Sequence, residues 1–237
     1  MRGNNATQSQ LERAQNMKTR IYTVTLTGVS PLLMHRDNIT AGEAVKRWSK
    51  DPANKKVSAA GDDRTPAWTW LGYCYHDNKR LVIDADNLMT MLRDGGKKCP
   101  APTGKGSLKS QTQAGILVNE IGWPLLVDGA EIPWKPLDAL HNSEDFAEHE
   151  EAAKALGFTL FVKRARVGTS KHVRVRPRFD NWTASGTITV MDDQLTTEVL
   201  QNVLTHSGFY CGLCDWRPGS PMAPGQFGRF EARLQLV

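Results

Sequence analysis

The stretch from Lys163 to Arg178 carries Lys163, Arg164, Arg166, Lys171, Arg174, Arg176 and Arg178 and no acidic residue. Within it Arg174, Arg176 and Arg178 are spaced two apart. The period of a β-strand puts them on one face, with Val173, Val175 and Phe179 on or near the other. Guanidinium groups sharing a face repel one another unless anions lie across from them. Phosphate meets that need, because the guanidinium fork can take two of its oxygens at once. The competing reading is a solvated strand face whose carboxylate partners come from elsewhere in the fold.

A second basic stretch runs from Lys97 to Ser110, with Lys97, Lys98, Lys105 and Lys109 set among Gly and Pro. It reads as a flexible loop that either meets nucleic acid or stays solvated. Gly104-Lys105-Gly106 lacks the Ser or Thr that follows the Lys of a P-loop, and no strand leads directly into it. Cys211-Gly-Leu-Cys-Asp-Trp-Arg-Pro218 opens a Gly- and Pro-rich segment reaching Gly228. There Trp216, beside Arg217, stacks on a base or packs beneath the loop. Gly225-Gln-Phe-Gly-Arg-Phe230 bears a faint likeness to the aromatic strand of an RNA-recognition module and misses it at several positions.

His35-Arg36-Asp37 follows the first expected strand. His35 could act as a general acid or base, and Asp37 could assist phosphodiester cleavage. No second histidine or carboxylate is tied to them by spacing, so Arg36 as a phosphate contact is the simpler reading, and no catalytic residue is assigned. The G-x-S-x-G, H-E-x-x-H and dinucleotide-binding patterns are missing from the sequence. Cys211 and Cys214 have C-x-x-C spacing without a second pair or an H-x₃-H to complete a zinc set. Reduced thiols near a tight turn are expected, with no metal and no cofactor.

At 237 residues, 40% of them hydrophobic, the chain can bury a sizeable core. Its formal charge is +5, with a sequence pI of about 9.1, and its charges are segregated. Glu144, Asp145, Glu148, Glu150 and Glu151 lie in a segment without Lys or Arg. Separation of this kind points to a positive surface facing a polyanion and an acidic one facing a neighbouring subunit. No apolar run is long enough to span a bilayer, and Met1 to Lys18 is polar, without the apolar region of a signal peptide. A soluble, cytoplasmic protein is expected.

The elements that would hold these residues follow from periodicity. Tyr22, Val24 and Leu26 alternate with threonines, which predicts a half-buried strand over Ile21–Thr27. Thr40-Ala-Gly-Glu43 reads as a capping box for a helix over Ala41–Trp48. Leu81–Ile83 leads into Asp84 as N-cap of a helix stopped by Gly95-Gly96. Asn142 or Ser143 caps an acid-started helix ending at Gly157. Phe158–Arg164, Val173–Phe179 and Gly186–Val190 read as strands. Asp192 or Asp193 caps a helix closed by Gly208, and Phe230–Leu236 alternates as a last strand. This order predicts an α+β fold with a ferredoxin-like βαββαβ core. A polar arm, residues 1–18, precedes a single domain, 19–237, with insertions at about 37–70 and 97–156.

Val24-Thr-Leu-Thr-Gly-Val-Ser-Pro-Leu-Leu-Met-His35 resembles the first strand and turn of RAMP-superfamily proteins of CRISPR effector complexes. Leu81-Val-Ile-Asp-Ala-Asp-Asn-Leu-Met-Thr-Met-Leu92 is similar to the strand and helix that follow there, and the Gly212–Gly228 loop with its last strand is like the closing half of that core. The likeness is greatest to the crRNA-binding backbone subunit or a phage or mobile-element relative of it. It covers about half the chain, and the Gly-rich loop pattern is altered here. The resemblance implies an RRM-like palm with inserted thumb and finger elements, in a non-catalytic subunit copied head to tail along a guide RNA beside other effector subunits. The residues expected at the RNA (Arg36, Lys97, Lys98, Lys105, Lys109, Lys163, Arg164, Arg166, Lys171, Arg174, Arg176, Arg178, Trp216 and Arg217) come from charge and spacing alone. The alternatives are a metal-independent endoribonuclease using His35 or His172, and a viral structural or assembly protein.

Overall fold

A computed structural model describes residues 19–54, 65–102, 105–167 and 170–237, with backbone only for 164–167 and 170–172. The polar arm expected over 1–18 lies outside the described residues. Strand β1 (Arg20–Gly28) buries Tyr22, Val24 and Leu26 as its alternation requires. It runs antiparallel between β10 (Phe230–Leu236) and β9 (Trp182–Val190), with Val24 opposite both Leu234 and Gly186. The seven-stranded sheet continues through β5 (Gly122–Val127) to β3 (Val82–Asp84), in the order β10-β1-β9-β5-β3. The short strands β4 (Ile116–Val118) and β6 (Ala130–Glu131) pair with β9 and β5, and every described pairing is antiparallel.

Helix α1 (Ile39–Lys50) precedes a 3₁₀ segment (Ala67–Tyr73) whose Trp70 is fully buried. Helix α2 (Ala85–Lys98) buries Leu88, Met91 and Leu92, and packs against α6 (Thr197–His206), which buries Leu200, Val203 and Leu204. Tyr22 and Thr197 share a hydroxyl hydrogen bond of 2.9 Å, and Gln201 donates to the Ala232 carbonyl, fixing α6 to the sheet. The chain is thus α+β. Between these helices lie α3 (Lys109–Ala114), α4 (Trp134–Asp138) and α5 (Phe146–Ala155).

A second sheet has the order β2 (Leu32–Leu33), β8 (Ser170–Phe179), β7 (Thr159–Val167). The strands expected over Phe158–Arg164 and Val173–Phe179 therefore exist, but form a hairpin outside the main sheet. Conversely, β4 and β5 run in the main sheet although they fall within the insertion expected over 97–156. Pro124 argues against a strand there. It is tolerated because it sits where β5 passes from pairing with β3 to pairing with β9.

Caps and stops also differ from expectation. Asn38, not the Thr40 box, caps α1, its side chain accepting from Ala41 N–H at 3.1 Å. Thr196, not Asp192 or Asp193, caps α6, and Asp145 caps α5. Helix α2 runs through Gly95-Gly96 instead of stopping. These glycines allow close packing: a Cβ on Gly95 would lie 1.9 Å from Ser207 Oγ, and one on Gly96 2.2 Å from Thr112 Oγ1.

Candidate nucleic-acid interface

In the β7–β8 hairpin, Lys163 lies opposite Arg174, Phe161 opposite Arg176 and Thr159 opposite Arg178. The period-two reading of the arginine row therefore holds for the backbone. This face does not stand free. It lies against the loop between Cys211 and Gly228, which returns on itself through Leu213 N–H to Gly228 O (2.9 Å) and Gly219 N–H to Cys211 O (2.9 Å). Two further bonds, Asp215 N–H to Leu33 O (2.9 Å) and Gly228 N–H to Pro31 O (2.8 Å), tie it to the β1–β2 turn. Gly212 and Gly228 have positive φ, and so do Cys214 (58°) and Trp216 (49°), which have side chains to clash. A non-glycine residue in this region costs on the order of 1–3 kcal/mol, so the surrounding bonds must hold the shape.

That shape sets Trp216 in an aromatic cluster. Its ring centre is 5.4 Å from that of Phe227 and 6.3 Å from Phe161, and Phe161 and Phe227 are 5.6 Å apart. Lys163 Nζ lies 3.1 Å from the Trp216 ring centre. Half-buried Trp216 thus combines packing beneath the loop with a face already covered by a cation. The faint aromatic-strand likeness fails: Phe227 and Phe230 are both buried, so neither is presented to a base.

The arginine row is partly neutralised. Arg176 Nε lies 2.5 Å from Asp215 Oδ2, although neither atom has an aligned hydrogen bond, so the contact is an ion pair between largely buried groups. His35 Nδ1 approaches the same oxygen at 3.7 Å, with its ring edge-on to Tyr73. Burial pushes the Asp215 carboxyl up, but His35 and Arg176 outweigh it and hold the group below the usual carboxylate range. Arg178 donates from Nε (2.9 Å) and Nη2 (2.7 Å) to Asp180, two residues along the chain, an acid just beyond the stretch read as uncompensated. Arg174 has no carboxylate partner among the described residues. The side chains of Arg164, Arg166 and Lys171 lie outside them.

A second cationic group is built at the end of α2. Asp94 faces Lys97 Nζ (3.1 Å), Arg217 Nη2 (3.3 Å) and Arg93 Nε (3.6 Å). Burial raises its pKa, and the three cations more than reverse this, leaving it depressed. Lys97 and Lys98 are exposed on the last turn of α2, and Lys109 opens α3. Between them Ala101 N–H bonds to Gly106 O and Leu108 N–H to Cys99 O. The described residues of the stretch expected as a flexible basic loop are thus tied together between two helices, with Lys105 exposed.

Arg36 is not part of this surface. It lines a separate cavity of about 310 Å³ with Tyr75, His76, Asp77, Asp84 and Asp86. Its neighbour His35 instead approaches Asp215, the carboxylate on the loop that pairs with Arg176 of the hairpin. All four cysteines are free and buried. Burial pushes the Cys74, Cys99 and Cys214 thiols up, and Cys211 up to about 11. Among the described residues no group of His, Cys, Asp and Glu is placed to hold a metal, and no helix is long and apolar enough to cross a membrane.

Sequence reasoning missed Phe161, Arg93, Asp94 and Asp215. Each depends on contacts across the fold, and only Asp215, beside Trp216 in a motif already singled out, carried a local signal. The chain matches no protein-family model and no curated protein sequence.

Proposed function

We propose that this chain binds the phosphate backbone of single-stranded RNA as a non-catalytic subunit of a repeating ribonucleoprotein, of the kind built by crRNA-binding backbone subunits of CRISPR effector complexes. The strand order β10-β1-β9-β5, with α2 and α6 between successive strands, supports a ferredoxin-like, RRM-like core. The β7–β8 hairpin stands outside it as a thumb-like element.

One observation carries the reading. Cations from three separate segments form a band: Lys163, Arg174 and Arg176 on the hairpin, Arg217 on the loop, and Arg93, Lys97 and Lys98 at the end of α2. Trp216 touches Lys163 of the first group, and adjacent Arg217 pairs with Asp94, which also faces Arg93 and Lys97 of the third. These cations outnumber Asp94 and Asp215, the carboxylates set among them. A net positive band crossing independent elements is what a phosphate chain requires.

The test is size exclusion of the expressed protein with absorbance at two wavelengths, then anisotropy with labelled single-stranded RNA across a salt series. Affinity is expected to fall steeply with salt through counterion release. Binding unchanged from low to high salt would refute the proposal.

The His35–Asp215–Arg176 contact favours a second reading, metal-independent RNA cleavage with His35 as acid or base and arginine stabilising the phosphorane. Labelled RNA left intact in chelator by wild type, with His35→Ala unchanged in binding, would dispose of it.

A further inference from the structure

The turn after α6 presents aromatic surface that the cationic band does not use. Ser207–Cys211 forms a single π-helical turn, a rare form that recurs at functional sites. Its Phe209 and Tyr210 are 65% and 54% exposed, with ring centres 5.5 Å apart and the planes at 67°. Large aromatic side chains at such exposure contribute little to a core. These two are nevertheless fixed in place. Arg229 donates to the Phe209 carbonyl and sets its guanidinium 5.8 Å from the Phe209 ring centre. Gly208 packs so closely on the Phe230 backbone that a Cβ there would overlap it.

The turn also sits on the cationic end of α2. Ser207 Oγ donates to the Met91 carbonyl at 3.2 Å and abuts Gly95. The thiol of Cys211, which closes the turn, feels Asp94 most strongly among the nearby charges, and then Lys98, Arg217 and Lys97. Two exposed rings, a guanidinium beside one of them, and cations on the helix against which the turn packs are the parts of a single-strand site: π-faces for bases and charges for phosphates.

We propose that Phe209 and Tyr210 form a stacking platform for unpaired bases of a single RNA strand whose phosphates are held by Arg229 and the cations at the end of α2. The inference rests on the nucleic-acid reading above and adds contact with the bases to contact with the backbone.

The experiment compares a labelled single-stranded RNA with a strand of the same length whose bases are removed. Wild type is expected to bind the abasic strand roughly tenfold more weakly per base lost from the platform. Phe209→Ala and Tyr210→Ala are expected to weaken binding of the normal strand by a similar factor, leaving the abasic strand and the salt slope unchanged. Phe209→Leu, which keeps apolar area but not the π-face, is expected to behave as Phe209→Ala, and Tyr210→Phe as wild type. Thermal melts confirm that each variant folds.

Full affinity in Phe209→Leu would overturn stacking. So would alanine variants that bind RNA normally but change the oligomeric state, which would make the patch a protein interface. If wild type binds the normal strand and only charge reversals at Lys163 and Arg174 weaken it, the platform falls while the backbone reading stands. If wild type binds neither strand, both fall.

Discussion

Lys163 reaches across from β7 to place its ammonium over the face of Trp216, on a loop that comes after β8, β9 and α6 in the chain. A single contact therefore joins the basic hairpin to the Gly-rich loop. It also means that Trp216, which the sequence offered either to a base or to packing beneath the loop, has one face covered by a protein cation.

Replacing Lys163 by Met keeps the aliphatic stem and removes the charge. Loss of the cation–π contact is expected to cost about 0.5–1 kcal/mol, read as a lower denaturant midpoint at unchanged m-value. In RNA binding the same substitution is expected to reduce the salt slope by about one.

Asp215→Asn is expected to move stability and affinity in opposite directions. It leaves Arg176 and His35 beside a neutral amide, costing on the order of 1–3 kcal/mol of stability. It also frees the Arg176 guanidinium for phosphate, so RNA binding should tighten and its salt slope steepen. Equal loss of both in anisotropy and urea titrations would mean that Asp215 organises the site instead of opposing it.

Acid should weaken the wild type in two ranges. Burial and the nearby Arg36 lower the His76 pKa, so the stability its neutral form contributes is intact above about pH 6.5 and lost as pH falls through its depressed value. Asp94 and Asp215, also depressed, contribute fully above about pH 4 and lose that contribution below it. Denaturant midpoints measured from neutral to acid pH should show both slopes, the lower one reduced in Asp215→Asn.

Gly95→Ala tests why α2 carries two glycines near its end. In an open helix the change would stabilise by about 1 kcal/mol. Here the added methyl meets Ser207 Oγ and the Val203 carbonyl, so destabilisation of about 1–3 kcal/mol is expected, seen as a lower melting temperature.

The four thiols should resist alkylation in the native protein near pH 8 and react together once denatured, since all are buried with raised pKa values. Rapid labelling of Cys211 in the native state would show that the π-helical turn opens.

The parts of the fold set by local periodicity were legible in the sequence. The alternation of Tyr22, Val24 and Leu26, the Asp84 cap and the period of Arg174, Arg176 and Arg178 each appear where expected. Strand β5 was hidden by Pro124, although Asp128-Gly129, both at positive φ, forms the hairpin turn that marks its end. The two glycines of α2 read as a stop because their reason, the close approach of Ser207 and Thr112, comes from distant segments. The site divides the same way. Most of its cations, Arg93 excepted, could be found from the sequence, but pairing with Asp215 and Asp94 depends on which segments the fold brings together. Asp180, the partner of Arg178, lies two residues beyond the acid-free stretch.

The left-handed conformations of Cys214 and Trp216 bear on thermodynamics as well as shape. A loop braced by its own amides and by the Pro31 and Leu33 carbonyls has already surrendered its conformational freedom on folding. A ligand arriving there meets a finished mould, so little ordering entropy is left to oppose association at this segment.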